Sequence, residues 1–162
     1  MRNRNNANGT TMVKFIGEYG ARIDDKGRMV FPAAFKAQMG GTCGKFVVKK
    51  DLYADCLEMF TYEEWERTSD DVREKLNFFN PDDERFWRGY MSDRAVVEPD
   101  EKLSRILVPK KLLESIGVVK DAVFFGSDHK IEIWARERYE AQKMSNSDFV
   151  ALARRILGNK NV

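Results

Sequence analysis

Asp24-Asp25-Lys26-Gly27-Arg28-Met29-Val30-Phe31-Pro32 reads as a charged turn, an arginine, three apolar residues and a proline. The chain returns to that order at Glu101-Lys102-Leu103-Ser104-Arg105-Ile106-Leu107-Val108-Pro109. Arginine and proline recur at one common offset. The same offset carries Phe46-Val47-Val48 onto Val123-Phe124-Phe125, and a slightly smaller one carries Leu57-Glu58-Met59-Phe60 onto Ile131-Glu132-Ile133-Trp134. Segments that recur in order mark a duplicated supersecondary unit, with the loop from Lys49 to Cys56 longer than its counterpart.

Local signals fill in each copy. Phe15 to Ile23 is strand-like, Asp24 to Gly27 is a turn, and Arg28 to Phe31 returns as a short strand. Pro32 sits in the first turn of a helix that Gly40-Gly41 ends. Strands follow at Lys45 to Lys49 and Leu57 to Phe60. Thr61 stands three residues before Glu64, the spacing of a reciprocal cap, which predicts a helix through Trp65 toward Leu76. Pro81 opens another helix, holding Phe86 and Trp87.

The second copy predicts strands at Arg94 to Val97, Arg105 to Val108, Val123 to Phe125 and Lys130 to Trp134, and a helix from Pro109 to Gly117. Further helices begin at Ala135 and about Ser147. The division expected is a disordered tail over 1–11, a first repeat over 12–80, a second over 81–144 and a C-terminal helix over 145–162. About four short strands per half are too few for an independent core, so the halves pack together. Their open edges are satisfied by interleaving strands between repeats or by pairing with neighbouring chains. In the last helix Phe149, Leu152, Ile156 and Leu157 form an apolar side for docking on the body or on a neighbouring protomer, with Arg154 and Arg155 on the polar side.

Composition narrows the function. A net charge of +2 over 162 residues is no general attractor of nucleic acid, so such a role needs local clustering. The chain shows no apolar run long enough to cross a bilayer and no signal-peptide pattern, and reads as soluble and cytoplasmic. Cys43 and Cys56 lack paired spacing and there is a single histidine, which argues against a zinc site and a disulfide framework. No phosphate-binding glycine loop or metal-ligand spacing is present. Asp82-Asp83-Glu84 suits a helix start, and His129 falls in a hairpin turn. No enzyme, no cofactor, no metal and no small-molecule substrate is expected.

The basic turns are the chemistry that remains. Lys26 and Arg28 present a point charge and a planar fork from one tight turn, suited to a phosphate or a guanine edge. Lys102 and Arg105 present the second such pair. Asp24 shapes its turn through bonds to nearby amides, and Gly27 supplies positive φ. Read alone, these residues also fit a solvated hairpin turn with a local ion pair. The aromatic residues, including Phe60, Trp65, Trp87, Phe124 and Trp134, read as core or subunit interface rather than as base-stacking surface.

Phe15-Ile16-Gly17-Glu18-Tyr19, Asp24-x-Lys26-Gly27-Arg28 with Pro32 following, Glu63-Glu64-Trp65-Glu66 and Arg105-Ile106-Leu107-Val108-Pro109 together resemble the MraZ family, from about Met12 to Tyr139. The resemblance implies an α+β fold of two tandem swapped-hairpin β half-barrels, AbrB-like, with short helices and a pseudo-twofold duplication. It further implies a bacterial transcription regulator on the nucleoid, with double-stranded DNA as partner. Members of that family associate as homo-oligomers into closed rings. They bind direct repeats upstream of the operon for cell division and cell-wall synthesis, usually as repressors. Lys26, Arg28, Lys102 and Arg105 would be the DNA-binding residues.

This chain departs from the family pattern at Ser104, where a glycine is usual, and at Leu103, where the first copy has Lys26. The second turn is therefore expected to adopt another turn type, with Lys102 reaching a phosphate from a different angle. The alternative function is an antitoxin-like or scaffold module that binds protein, its basic turns incidental.

Overall fold

The computed structural model describes residues 12–158; the tail expected over 1–11 lies outside the described residues. The first half contains β1 (Phe15–Arg22), β2 (Arg28–Val30), α1 (Ala33–Gln38), β3 (Phe46–Lys50), β4 (Leu57–Thr61), α2 (Tyr62–Glu74) and α3 (Pro81–Met91). The second contains β5 (Ala95–Val97), β6 (Arg105–Leu107), α4 (Lys110–Ser115), β7 (Asp121–Asp128), β8 (Ile131–Ala135), α5 (Arg136–Gln142) and α6 (Asn146–Leu157). Pro32 and Pro109 stand immediately before α1 and α4, where a fixed φ and a missing amide proton cost a helix nothing. Thr61 Oγ1 accepts the Glu64 amide at 3.2 Å. The Glu64 carboxylate does not complete the predicted reciprocal cap: it accepts from Arg67 Nη1 at 3.0 Å.

Strand pairing is what makes the halves one body. The six-stranded sheet runs β1-β7-β8-β4-β3-β5, and β2 and β6 form a separate two-stranded ribbon. The first strand of each half pairs with the third strand of the other, β1 with β7 and β5 with β3. The fourth strands pair with each other, Glu58 opposite Glu132, and the second strands do likewise, Met29 opposite Ile106. A pseudo-twofold axis passes through those two pairs. Swapped strands and mixed α and β elements are the tandem half-barrel architecture expected, and neither half closes its edges alone.

The register corrects one detail of the sequence alignment. Phe46 and Val48 face the core, as do Ala122 and Phe124 of the second half, so the structural equivalents of Phe46-Val47-Val48 begin at Ala122, one residue earlier than the common offset implied. A one-residue slip exchanges the faces of a strand, so the sheet determines the correct offset and the repeat does not.

Between the sheet, the ribbon, α1 and α4 lies one apolar core drawn from both halves. Phe31 joins them, its ring centroid 5.3 Å from Phe46 and 6.4 Å from Phe124. Burying each such side chain contributes about 1.5–3 kcal/mol. Gly126 lets β1 close on β7: a Cβ there would lie 2.6 Å from the backbone of Phe15.

The outer face of the sheet carries two small clusters. Val47, Phe60 and Trp65 pack with Tyr90 of α3, while Val123, Trp134 and Cys56 pack with Tyr139 of α5. Between them Lys130 Nζ lies 2.6 Å from Glu58, 3.5 Å from Glu132 and 3.6 Å from Asp51, and Lys49 pairs with Glu58 at 2.5 Å. Asp51, Cys56 and Glu132 bring ligand-type atoms together there. The Lys130 ammonium lies against those carboxylates, and burial pushes the Cys56 thiol up.

Candidate nucleic-acid interface

Each half builds the same clamp from an aspartate and an arginine across a turn. In the first, Asp24 Oδ1 accepts the amides of Lys26 at 2.9 Å and Arg28 at 2.8 Å, and Asp24 Oδ2 accepts Arg28 Nε at 2.8 Å. The Asp24 amide donates to the Arg28 carbonyl at 2.9 Å, and the Gly27 amide donates to the Asp24 carbonyl at 3.0 Å. In the second, Asp100 accepts the amides of Leu103 at 2.7 Å and Arg105 at 3.0 Å, together with Arg105 Nε at 3.2 Å. The Asp100 amide donates to the Arg105 carbonyl and the Ser104 amide to the Asp100 carbonyl, each at 3.0 Å.

The partner of Arg105 is thus Asp100, not the Glu101 that the common offset brings under Asp24. The second turn is one residue longer. Gly27 has φ +82° and Ser104 has φ +53°, so Ser104 occupies the left-handed position itself and the inserted residue absorbs the change of turn. Leu103 takes the place of Lys26, since each donates its amide to the clamping carboxylate. Asp100 was missed in the sequence, although an aspartate ahead of a polar turn and an arginine was the signal that would have found it.

The clamp orients each arginine. A carboxylate on Nε takes one of five donors and leaves the Nη groups for another acceptor. Both arginine side chains are 30% exposed. The amide of Arg28 is the chief cause that holds the Asp24 carboxyl below its ordinary value, and the amide of Leu103 is that cause for Asp100, so both are anions at neutral pH.

Pairing of β2 with β6 places the two clamps together. Arg28 stands opposite Leu107 and Arg105 opposite Val30. Met29 and Ile106 turn inward to the core, and alternation puts Arg28, Val30, Arg105 and Leu107 on the outer face. The arginines occupy diagonal positions, about 7–8 Å apart at Cα. Val30 and Leu107, both exposed, fill the other diagonal. Two-stranded β-ribbons are among the elements that the major groove of B-form DNA admits. Lys26 and Lys102 are exposed in the turns at its two ends.

Apart from the ribbon's own charges, Lys111 of α4 pairs with Asp93 at 2.8 Å. His129 lies beside Phe60, with ring centroids 6.5 Å apart, and Asp82, Asp83 and Glu84 occupy the first turn of α3. Among the described residues no helix is long and apolar enough to cross a membrane.

Comparison with known proteins agrees with the duplication. The family described as MraZ protein, antitoxin-like, matches twice, over residues 14–89 and 93–159. The chain belongs to the MraZ family. The transcriptional regulator MraZ of Bacteroides fragilis is 37% identical over 147 residues, covering 90% of this chain and 92% of that protein. That of Bacteroides thetaiotaomicron is 36% identical over 151 residues, covering 93% and 96%. The Clostridium beijerinckii protein of the same name is 36% identical over 142 residues, covering 88% and 96%. Membership in MraZ carries regulation of transcription as the broad function.

Proposed function

We propose that this MraZ protein binds double-stranded DNA through the outer face of the β2/β6 ribbon and acts there as a repressor. The observation that carries the reading is the repetition of one aspartate-arginine clamp at both ends of a single ribbon, with each guanidinium held through Nε by its own carboxylate. Arg28 and Arg105 make the base or phosphate contacts, Lys26 and Lys102 contact flanking phosphates, and Asp24 and Gly27 shape the first turn. The targets are direct repeats upstream of the operon for cell division and cell-wall synthesis, bound by a closed ring of protomers on the nucleoid.

The ring is needed energetically. A protomer that neutralises two or three phosphates loses most of its affinity at physiological salt, because each contributes about 0.9 to the log–log salt slope. Linked ribbons make later contacts intramolecular, which raises avidity roughly 10²- to 10⁴-fold.

Fluorescence anisotropy of the chain with a duplex from its own upstream region, beside a scrambled duplex and across salt concentrations, tests this. Specific, salt-sensitive binding that Arg28→Ala weakens by about 1–3 kcal/mol supports it. Equal weak binding to both duplexes overturns it and favours the antitoxin-like reading that the family description names.

A further inference from the structure

α6 is an amphipathic helix whose apolar side is only partly covered. Phe149, Leu152, Ala153, Ile156 and Leu157 recur at the spacing of one stripe, yet no residue of α6 is buried. Phe149, Ile156 and Leu157 are each about half exposed. Its N-terminal end approaches the body, where Phe149 lines a shallow cleft with Trp134 and Tyr139, and Leu152 and Ala153 are half-buried. Docking on its own body, one of the two outcomes open in the sequence, thus leaves much of the stripe uncovered. A 12-residue helix is marginal by itself in water and gains its stability from a packed face.

A second uncovered surface lies at the junction of α2 and α3. Leu76 and Phe78 line a groove with Asp70 and Arg73, and Phe78 and Phe86 remain more than a third exposed. α3 likewise buries no residue fully. The charges of the two surfaces are opposite. α2 carries six carboxylates against two arginines, whereas α6 carries Arg154 and Arg155 in its last turn against one aspartate.

We propose that α6 of one copy lies in the α2–α3 groove of the next, its stripe on Leu76, Phe78 and Phe86 and its two arginines facing Asp70 and Asp71. The occupant is a second copy because both complementary faces belong to this chain. They are unlike, so the contact is head-to-tail, the kind that generates a ring when its rotation closes. α6 is therefore an assembly element, remote from the ribbon that meets DNA. The inference rests on the oligomeric reading given above.

Sedimentation of the full chain over a range of concentrations tests it. Wild type should assemble, and Phe149→Asp with Ile156→Asp should raise the concentration at which assembly occurs by at least about tenfold. Circular dichroism should be unchanged, since both side chains are already exposed. Arg154→Glu with Arg155→Glu should weaken assembly, and adding Asp70→Arg with Asp71→Arg on the same chain should restore it. A wild type that stays monomeric overturns the ring reading and this inference with it. An oligomer indifferent to the α6 substitutions overturns the α6 contact alone. Loss by the arginine swap without rescue overturns the α2–α3 groove as its seat.

Discussion

The turn before Arg28 and the turn before Arg105 reach one geometry by two routes. The first uses five residues from Asp24 to Arg28 with glycine in the left-handed position; the second takes six, from Asp100 to Arg105, and places Ser104 there. The clamp survives both the insertion and the loss of glycine. Its specification therefore resides in the aspartate, whose carboxylate gathers two amides and a guanidinium, and glycine only lowers the conformational cost. Duplication followed by drift preserves what the ribbon needs, two oriented arginines, and lets the connecting residues change.

The largest effects lie beneath the ribbon. Met29→Ala and Ile106→Ala each remove a side chain buried on the pseudo-twofold axis and should each destabilise the fold by about 2–5 kcal/mol in urea denaturation. A large inequality between them would mean that the core does not treat the halves as equivalent. Next come the arginines: Arg28→Ala and Arg105→Ala should each cost about 1–3 kcal/mol of DNA affinity, measured by anisotropy at fixed salt. A silent Arg105→Ala would show that the longer turn has lost its contact although its clamp is intact.

Conformational effects are smaller. Gly27→Ala should destabilise by about 1–2 kcal/mol through its φ of +82° alone, because the added Cβ would meet only Leu107 Cδ1, at an ordinary 3.7 Å. Ser104→Gly should stabilise by no more than about 0.5 kcal/mol, relief of strain being offset by a more flexible unfolded chain. Thermal melts distinguish these two outcomes. The smallest effect is that of pH, since both carboxylates are solvent-exposed. Their folded pKa values lie below the ordinary 3.8, so the clamps are complete above the ordinary carboxylate range and are lost only as pH falls through the lowered values. The NMR resonances of the Arg28 and Arg105 Nε–H groups should move together in that acid range; independent movement would show that the clamps differ in strength.

Much of this was legible in the chain. Proline before a short helix, a threonine three residues ahead of a glutamate and apolar alternation located the elements, because each signal acts within a turn or two of backbone. Lys26, Arg28, Lys102 and Arg105 were visible as basic residues of repeated turns. Asp100 was not, because a common offset hid the inserted residue, and Val30 and Leu107 became candidate surface only when β2 was seen beside β6. The lysine-carboxylate group around Lys130 also escaped, its members contributed by β4, β8 and the loop between β3 and β4.

By itself the amino-acid sequence determined that the chain is duplicated, where its strands and helices begin, and which arginines stand at the turns. These follow from steric preferences and side-chain periodicity within short segments. Only the tertiary structure decided that β1 pairs with the other half, that Phe46 corresponds to Ala122, and that both arginines share one face of one ribbon. Backbone donors and acceptors are alike along every strand, so partner and register are chosen by the simultaneous packing of both faces against side chains distant in the chain.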